Sequence, residues 1–526
     1  MRRIHKIALL GPAVCAVVFA AQVSASCPIP AESAGGPSNA HTRYVETQLR
    51  PAIIKKSDKP FSLAEHMEHY GVPGLSVAVI HDGKLAWARG WGVRDVVSCT
   101  PVTPDTDFQA ASISKVVTAM LALRMAEQGK IGLDRNINDA LRSWSLPRDP
   151  KLAPNGVTLR QLLSHTAGLG VHGFVGYMPG APLPTTVQIL DGVPPANTPS
   201  VRSVLPAGAQ FEYSGGGYVV TQLALADVSG VPFETLVQRE ILGPLGMTRS
   251  AFAMPPTPAI LDNAAFGHAN GIVIPENYRV DPELAPAGLW TTAGDLARLL
   301  MDLQASAAGK AGHRLSPAMT RQMMTPVKDN WGLGVAVYPS GIPRFMHDGV
   351  NEGYESYMIA YTDKGDGVVA LANGGDGRRV MSDVVRAIAT DYGMTDIAIP
   401  ATEEKTLSLA ELSKAAGYFV GGGLAVTLEA RPDGLYASAG GPVPERLTAL
   451  SPRRFRSESL ATTVEFTADF SSMTMIEGPP PMKLVRMPAG RRRTEARQGN
   501  HATAFRQTQR VTSENFHASH KRSDEE

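Results

Sequence analysis

Ser112-Ile113-Ser114-Lys115 carries the strongest chemical signal in the sequence. A serine and a lysine three positions apart on a helix share one face. At a helix N-terminus the serine also sits among unpaired backbone N–H groups and a partial positive charge. A serine hydroxyl is a weak nucleophile until a nearby base takes its proton. A desolvated lysine can be that base, or can tune one, because burial lowers its pKa. Taken alone, the tetrad is better read as an N-capping serine beside a solvated lysine. Its context reverses that reading. It follows Phe108-Gln109-Ala110-Ala111 and leads into Val116, Val117, Met120 and Leu121. It therefore opens a buried helix, where an activated serine is useful.

Two further elements could complete such a site. Tyr213-Ser214-Gly215 stands inside Phe211-Glu212-Tyr213-Ser214-Gly215-Gly216-Gly217-Tyr218. A tyrosinate stabilised by a lysine can act as general base towards a serine; otherwise Tyr213 is a loop residue beside a glycine-rich turn. His347-Asp348-Gly349 is expected at the entry to a strand. A small residue there lets a strand edge approach a substrate and offer a backbone N–H to an oxyanion; otherwise it is a turn.

The elements that must hold these residues read as follows. Helices are expected at about 44–54, at 62–70 and from Ser112 to Gly129. Strands are expected at Gly74–Ile80 and Leu85–Gly92, around a His81-Asp82-Gly83-Lys84 turn. Residues 170–211 are proline-rich, lack periodicity and are long for filler, which suggests a functional lid. A helix from Gly217 to Ser229, strands at Leu333–Val337, Ser356–Tyr361 and Val368–Asn373, and a closing helix at Met381–Tyr392 follow. After a boundary at Pro400–Leu407 the chain shows short alternating runs and no clear helix.

Together the motifs resemble those of the penicillin-recognising serine hydrolases, in the class C β-lactamase-like branch with its esterases, D-aminopeptidases and DD-peptidases. The resemblance covers about residues 43–394. Pro73-Gly74-Leu75-Ser76-Val77-Ala78-Val79, Leu162-Leu163-Ser164-His165-Thr166-Ala167-Gly168-Leu169 and Gly288-Leu289-Trp290-Thr291-Thr292 support it. It implies an α+β fold of the β-lactamase/transpeptidase type: an antiparallel sheet flanked by helices, with a mostly helical subdomain. It implies Ser112 as acylated nucleophile, Lys115 and Tyr213 as its base pair, and the backbone N–H groups of Ser112 and Val350 as oxyanion hole. The chemistry calls for no metal or cofactor. Gly215 stands where the family usually has asparagine, which implies altered specificity. His347 stands where true β-lactamases have lysine. A mostly neutral histidine favours ester or amide substrates without the carboxylate of β-lactams and peptidoglycan stem peptides.

Composition bounds the rest. The chain has 526 residues, 43% hydrophobic and 19% charged, an ordinary globular mix. A formal net charge of +1 gives no footprint for nucleic acid. Three cysteines are too few for a disulfide scaffold. Residues 1–25 read as an export signal, with Arg2, Arg3 and Lys6 before an apolar run and Val23-Ser24-Ala25 as cleavage site. An uncleaved anchor, or lipidation at Cys27, is the weaker alternative. No other segment could span a bilayer. Cys27 and Cys99 could pair in an oxidising compartment, and two free thiols are equally compatible. Residues 26–42 read as a linker, 405–488 as a small β-barrel or sandwich, and 489–526 as a disordered tail. Glu65-His66-Met67-Glu68-His69 looks metal-like but lacks further ligands, so a solvated helix face is expected. His165 is expected to brace a loop.

The expected protein is thus an exported hydrolase, periplasmic or secreted, acting on a small ester, amide or peptide substrate, cell-wall peptide included. The alternatives are a penicillin-binding D,D-peptidase or weak β-lactamase, and a non-catalytic cell-envelope binding protein.

Overall fold

The computed structural model describes residues 27, 35–36, 38–51, 59–362, 364–397, 404–421, 424–439, 444–457, 462–476 and 482–488. The expected export signal, most of the linker and the expected tail lie outside the described residues.

A six-stranded antiparallel sheet organises the larger part of the chain. Its spatial order is Lys84–Gly92, Gly74–His81, Gly367–Ala372, Tyr354–Tyr361, Arg344–Asn351 and Ala336–Tyr338. The first hairpin turns where expected, because Asp82 and Gly83 both adopt the left-handed region that a tight hairpin turn requires. Residues of period two are apolar on both faces, so the sheet is buried on both sides. Ala78, Ile80, Val369 and Leu371 face one core, which is shared with the helices Ser114–Glu127, Gly215–Ser229 and Ala293–Ala307. Leu75, Val77, Val79, Val368 and Ala370 face a second core. Val45, Met67, Val380, Val384 and Ile388, from the helices Ala40–Thr47, Leu63–His69 and Gly377–Asp391, close that face.

Several sequence expectations shift. The first helix starts at Ala40, inside the expected linker, because Asn39 and Thr42 form a capping box. His66 is not on a solvated face: its ring is 2.5 Å from the Asp383 carboxylate. The His347-Asp348-Gly349 run lies within the strand Arg344–Asn351, not at the entry to one. Its alternation was hidden because polar Asp348 and Asn351 interrupt the apolar pattern.

The C-terminal part forms a closed eight-stranded antiparallel barrel running from Gly417–Gly421 to Met482–Arg486. Phe419, Val426, Leu428, Leu435, Leu447, Phe455, Phe466 and Leu484 fill it. Its outer positions are mostly polar or half-exposed, the alternation expected of a small barrel. A short helix, Leu409–Ala415, was not expected. It is capped by the Ser408/Glu411 box and buries Leu412 and Ala415 against the barrel core. The barrel meets the larger part at the Gly377–Asp391 helix, where Arg379 lies 3.9 Å from Glu445.

Candidate active site

Ser112 lies in a single 3₁₀ turn, Ala111–Ile113, immediately before the helix Ser114–Glu127. Ala111 has φ 47°, a left-handed conformation that L-residues rarely adopt. That turn lifts Ser112 out of the core, so it is half-exposed while its neighbours are buried.

The segment 285–289 clamps this helix through its backbone. Thr118 donates to the Ala285 carbonyl at 3.0 Å, and Lys115 Nζ donates to the Pro286 carbonyl at 2.9 Å. The Leu289 N–H donates to Ser114 Oγ at 3.0 Å. The Ala110 N–H donates to the Leu289 carbonyl at 2.9 Å. These bonds fix the rotation of the helix and aim Lys115 at Ser112. Lys115 Nζ donates to Ser112 Oγ at 3.0 Å. Only 2% of Lys115 is exposed, and this burial lowers its pKa to about 7.

Tyr213 reaches the same point from the loop before the helix Gly215–Ser229. Its hydroxyl is hydrogen-bonded to Ser112, and Lys115 Nζ lies 5.0 Å from its ring centroid. Desolvation pushes the phenol further up, against the opposing pull of the Ser112 hydrogen bond. The tyrosine is therefore protonated at neutral pH, and the lysine is the group that titrates there. This departs from the expected tyrosinate, and the cause is that burial disfavours the anion more than the Ser112 hydrogen bond favours it.

An aromatic cage holds Tyr213. His165 stacks on it at 4.1 Å, and Trp331 meets it edge-on at 5.9 Å. His165 Nδ1 accepts from the Ser214 N–H at 3.0 Å, which makes it the loop brace the sequence suggested. Sequence reading did not find Trp331; only the fold brings it beside His165, Phe211, Tyr213 and His347.

Gly349 abuts the Ala111–Ile113 turn. A Cβ at this position would lie 2.5 Å from the Ser112 nitrogen and 2.7 Å from the Ala110 carbonyl oxygen. The strand Ala336–Tyr338 pairs only with Arg344–Met346, so residues 347–351 present a free edge on that side. Ser356 Oγ donates to the Ala110 carbonyl and ties the next strand to the same turn. Val350 is 51% exposed beside it.

His347 and Gly215 are both buried. His347 is 1% exposed and lies under Trp331, with ring centroids 5.5 Å apart. Burial lowers its pKa to about 4, so it is neutral at physiological pH. Gly215 is buried, and the space for a side chain there is filled by Phe174 from residues 170–211, whose Cε2 would be 2.7 Å from a Cβ. Apart from the short helix Thr186–Asp191, that region is irregular, as its composition indicated.

Among the described residues, one group of side chains is spaced to hold a metal: His81, Asp82 and Asp366. His81 Nδ1 is already 2.8 Å from the Asp366 carboxylate, an ordinary hydrogen bond beside a hairpin turn.

Penicillin-binding protein 4 of Amycolatopsis lactamdurans is 27% identical over 383 residues, covering 66% of this chain and 93% of that protein. The unguisins hydrolase of Aspergillus violaceofuscus is 26% identical over 356 residues, 59% of each chain. The structure of the octameric penicillin-binding protein homologue from Pyrococcus abyssi superposes with a TM-score of 0.52 at 22% identity. It covers 80% of this chain and 98% of that one, a likeness of fold. The family model described as Beta-lactamase matches residues 62–391, the stretch that contains the Ser112 turn, Tyr213 and the Gly349 edge. The chain belongs to the beta-lactamase family, whose fold is that of the serine hydrolases and penicillin-binding proteins.

Proposed function

We propose that the protein is an exported serine hydrolase that cleaves ester or amide bonds through an acyl-enzyme on Ser112. The observation that carries this reading is the 3.0 Å contact between a buried, pKa-lowered Lys115 and Ser112. With Lys115 neutral, its lone pair accepts the Ser112 proton as Oγ attacks the carbonyl carbon. The oxyanion is held by the backbone N–H groups of Ser112 and Val350, at the free strand edge that Gly349 brings against the turn. When the intermediate collapses, the leaving group takes a proton from Lys115, relayed by the Tyr213 hydroxyl. A water molecule, deprotonated by the same pair, then releases the acid and regenerates Ser112.

The pairing of Cys27 with Cys99 supports the export reading, because such bonds persist in oxidising compartments. A bonded Cys27 cannot carry a lipid, which argues against a lipoprotein. No helix among the described residues is long and apolar enough to cross a membrane. We take residues 43–394 as the catalytic unit and 405–488 as the barrel unit.

The penicillin-binding names among the relatives support a second reading, a D,D-peptidase or weak β-lactamase. The neutral, buried His347 supports it less, since it offers no cation for a substrate carboxylate. Labelling of purified protein by a fluorophosphonate, lost in Ser112→Ala, tests the acyl-enzyme. Absence of labelling at Ser112 would overturn it. Turnover of nitrocefin against p-nitrophenyl esters separates the two readings.

A further inference from the structure

Tyr213 is flanked by two histidines with different surroundings. His165 is buried and commits Nδ1 to the Ser214 N–H. His172 is exposed, with its ring centroid 4.9 Å from that of Tyr213. The chain around His172 is fixed to the start of the Gly215–Ser229 helix. Ser214 Oγ donates to the Gly170 carbonyl at 2.8 Å. The Gly216 N–H donates to the Val171 carbonyl, and the Gly215 N–H to the His172 carbonyl, each at 3.0 Å. Phe174 then fills the volume that a side chain at position 215 would need. The loop has thus closed off one source of polar contact beside Tyr213 and brought in another.

Resting on the acyl-enzyme reading, we propose that His172 is a specificity-determining residue, which accepts a hydrogen bond from an amide N–H next to the scissile carbonyl of the substrate. The ring is tilted against Tyr213, close enough to share a proton with that residue's backbone carbonyl. Partial enclosure disfavours its charged form, and the Lys115 cation acts in the same direction. A neutral imidazole with one nitrogen donating has its other nitrogen as an acceptor. That nitrogen suits an amide N–H and not a carboxylate. The favoured substrates are therefore peptide-like esters or amides, in preference to simple alkyl esters of the same size.

The experiment uses matched ester pairs in which an N–H is replaced by oxygen: p-nitrophenyl N-acetylalaninate against p-nitrophenyl O-acetyllactate. A second pair carries the same exchange on the leaving-group side. The wild type should prefer the N–H member of at least one pair by about tenfold in kcat/KM, the upper range for the net worth of one hydrogen bond. His172→Ala should reduce the preference to within twofold, and His172→Gln, which restores an acceptor oxygen, should recover part of it. No N–H preference in either pair, or a preference that survives His172→Ala, would overturn the assignment. Fluorophosphonate labelling of wild-type Ser112 is read in parallel. Its absence would sink the acyl-enzyme reading, whereas labelling without N–H preference would sink only the role of His172.

Discussion

Lys115 Nζ sits between Ser112 Oγ at 3.0 Å and the Pro286 carbonyl oxygen at 2.9 Å. The carbonyl holds one N–H of the amine whether or not it is charged. Loss of a single proton therefore leaves a lone pair for the serine. In the proposed mechanism, the protonation state of this one buried amine is the switch for nucleophile activation.

Acylation of Ser112 should rise with pH and level off as pH passes about 7, where the amine loses its proton. Lys115→Arg, which stays charged at all working pH values, should lower the acylation rate about 10²- to 10⁴-fold and abolish that limb. Rates of fluorophosphonate labelling from pH 5 to 9 check both. Lys115→Met should also raise thermal stability. The folded amine titrates below its unfolded value, so the cost it imposes is present in full below pH 7. That cost fades as pH rises towards the ordinary lysine range. The gain in melting temperature should shrink in the same window.

Tyr213→Phe should keep the ring packing on His165 and Trp331 but lose the hydroxyl at Ser112. The expected loss in kcat is about 10²-fold or more, with the melting temperature within a few degrees of wild type. Because desolvation pushes the phenol up, the wild type should show no tyrosine limb between pH 7 and 9.

Gly215→Asn, which restores the usual family residue, should destabilise the protein by about 1–3 kcal/mol, because its Cβ meets Phe174. Adding Phe174→Ala should return much of that stability. Chemical denaturation of the single and double variants measures the coupling.

His347 and His165 are buried and neutral, with pKa values below the ordinary histidine range. A depressed histidine costs stability as pH falls from its unfolded value through its folded one. Stability should therefore decline from about pH 6.5 and reach its low plateau below about pH 4 for His347. His347→Asn should flatten the decline by on the order of 1–3 kcal/mol, read from urea midpoints at pH 7 and 4.5.

Reduction of the Cys27–Cys99 bond, which spans 72 residues of sequence, should cost about 2–4 kcal/mol at most. The bond also anchors the segment whose Gly35 bridges Gly90 in the sheet. Cys99→Ser should therefore show the same loss without reductant. Denaturation with and without dithiothreitol compares them.

What the sequence determined by itself was the chemistry that is local along the chain. Ser112 and Lys115 share a helix, so three residues of spacing suffice to bring them together. The hairpin at Asp82-Gly83 and the alternating runs of the barrel were legible for the same reason: short-range backbone preferences and period-two burial. What only the tertiary structure decided was everything set by contacts far apart in sequence. Pro286 and Ser112 are 174 positions apart, yet a carbonyl at one helps aim the lysine at the other. Trp331 packs edge-on against His347, and this packing, not the motif, leaves the histidine buried. Phe174 fills the space beside Gly215, which turned an apparent lost side chain into an occupied space. Whether tyrosine or lysine titrates near neutrality also depended on burial, and burial is a property of the packed chain, not of the motif.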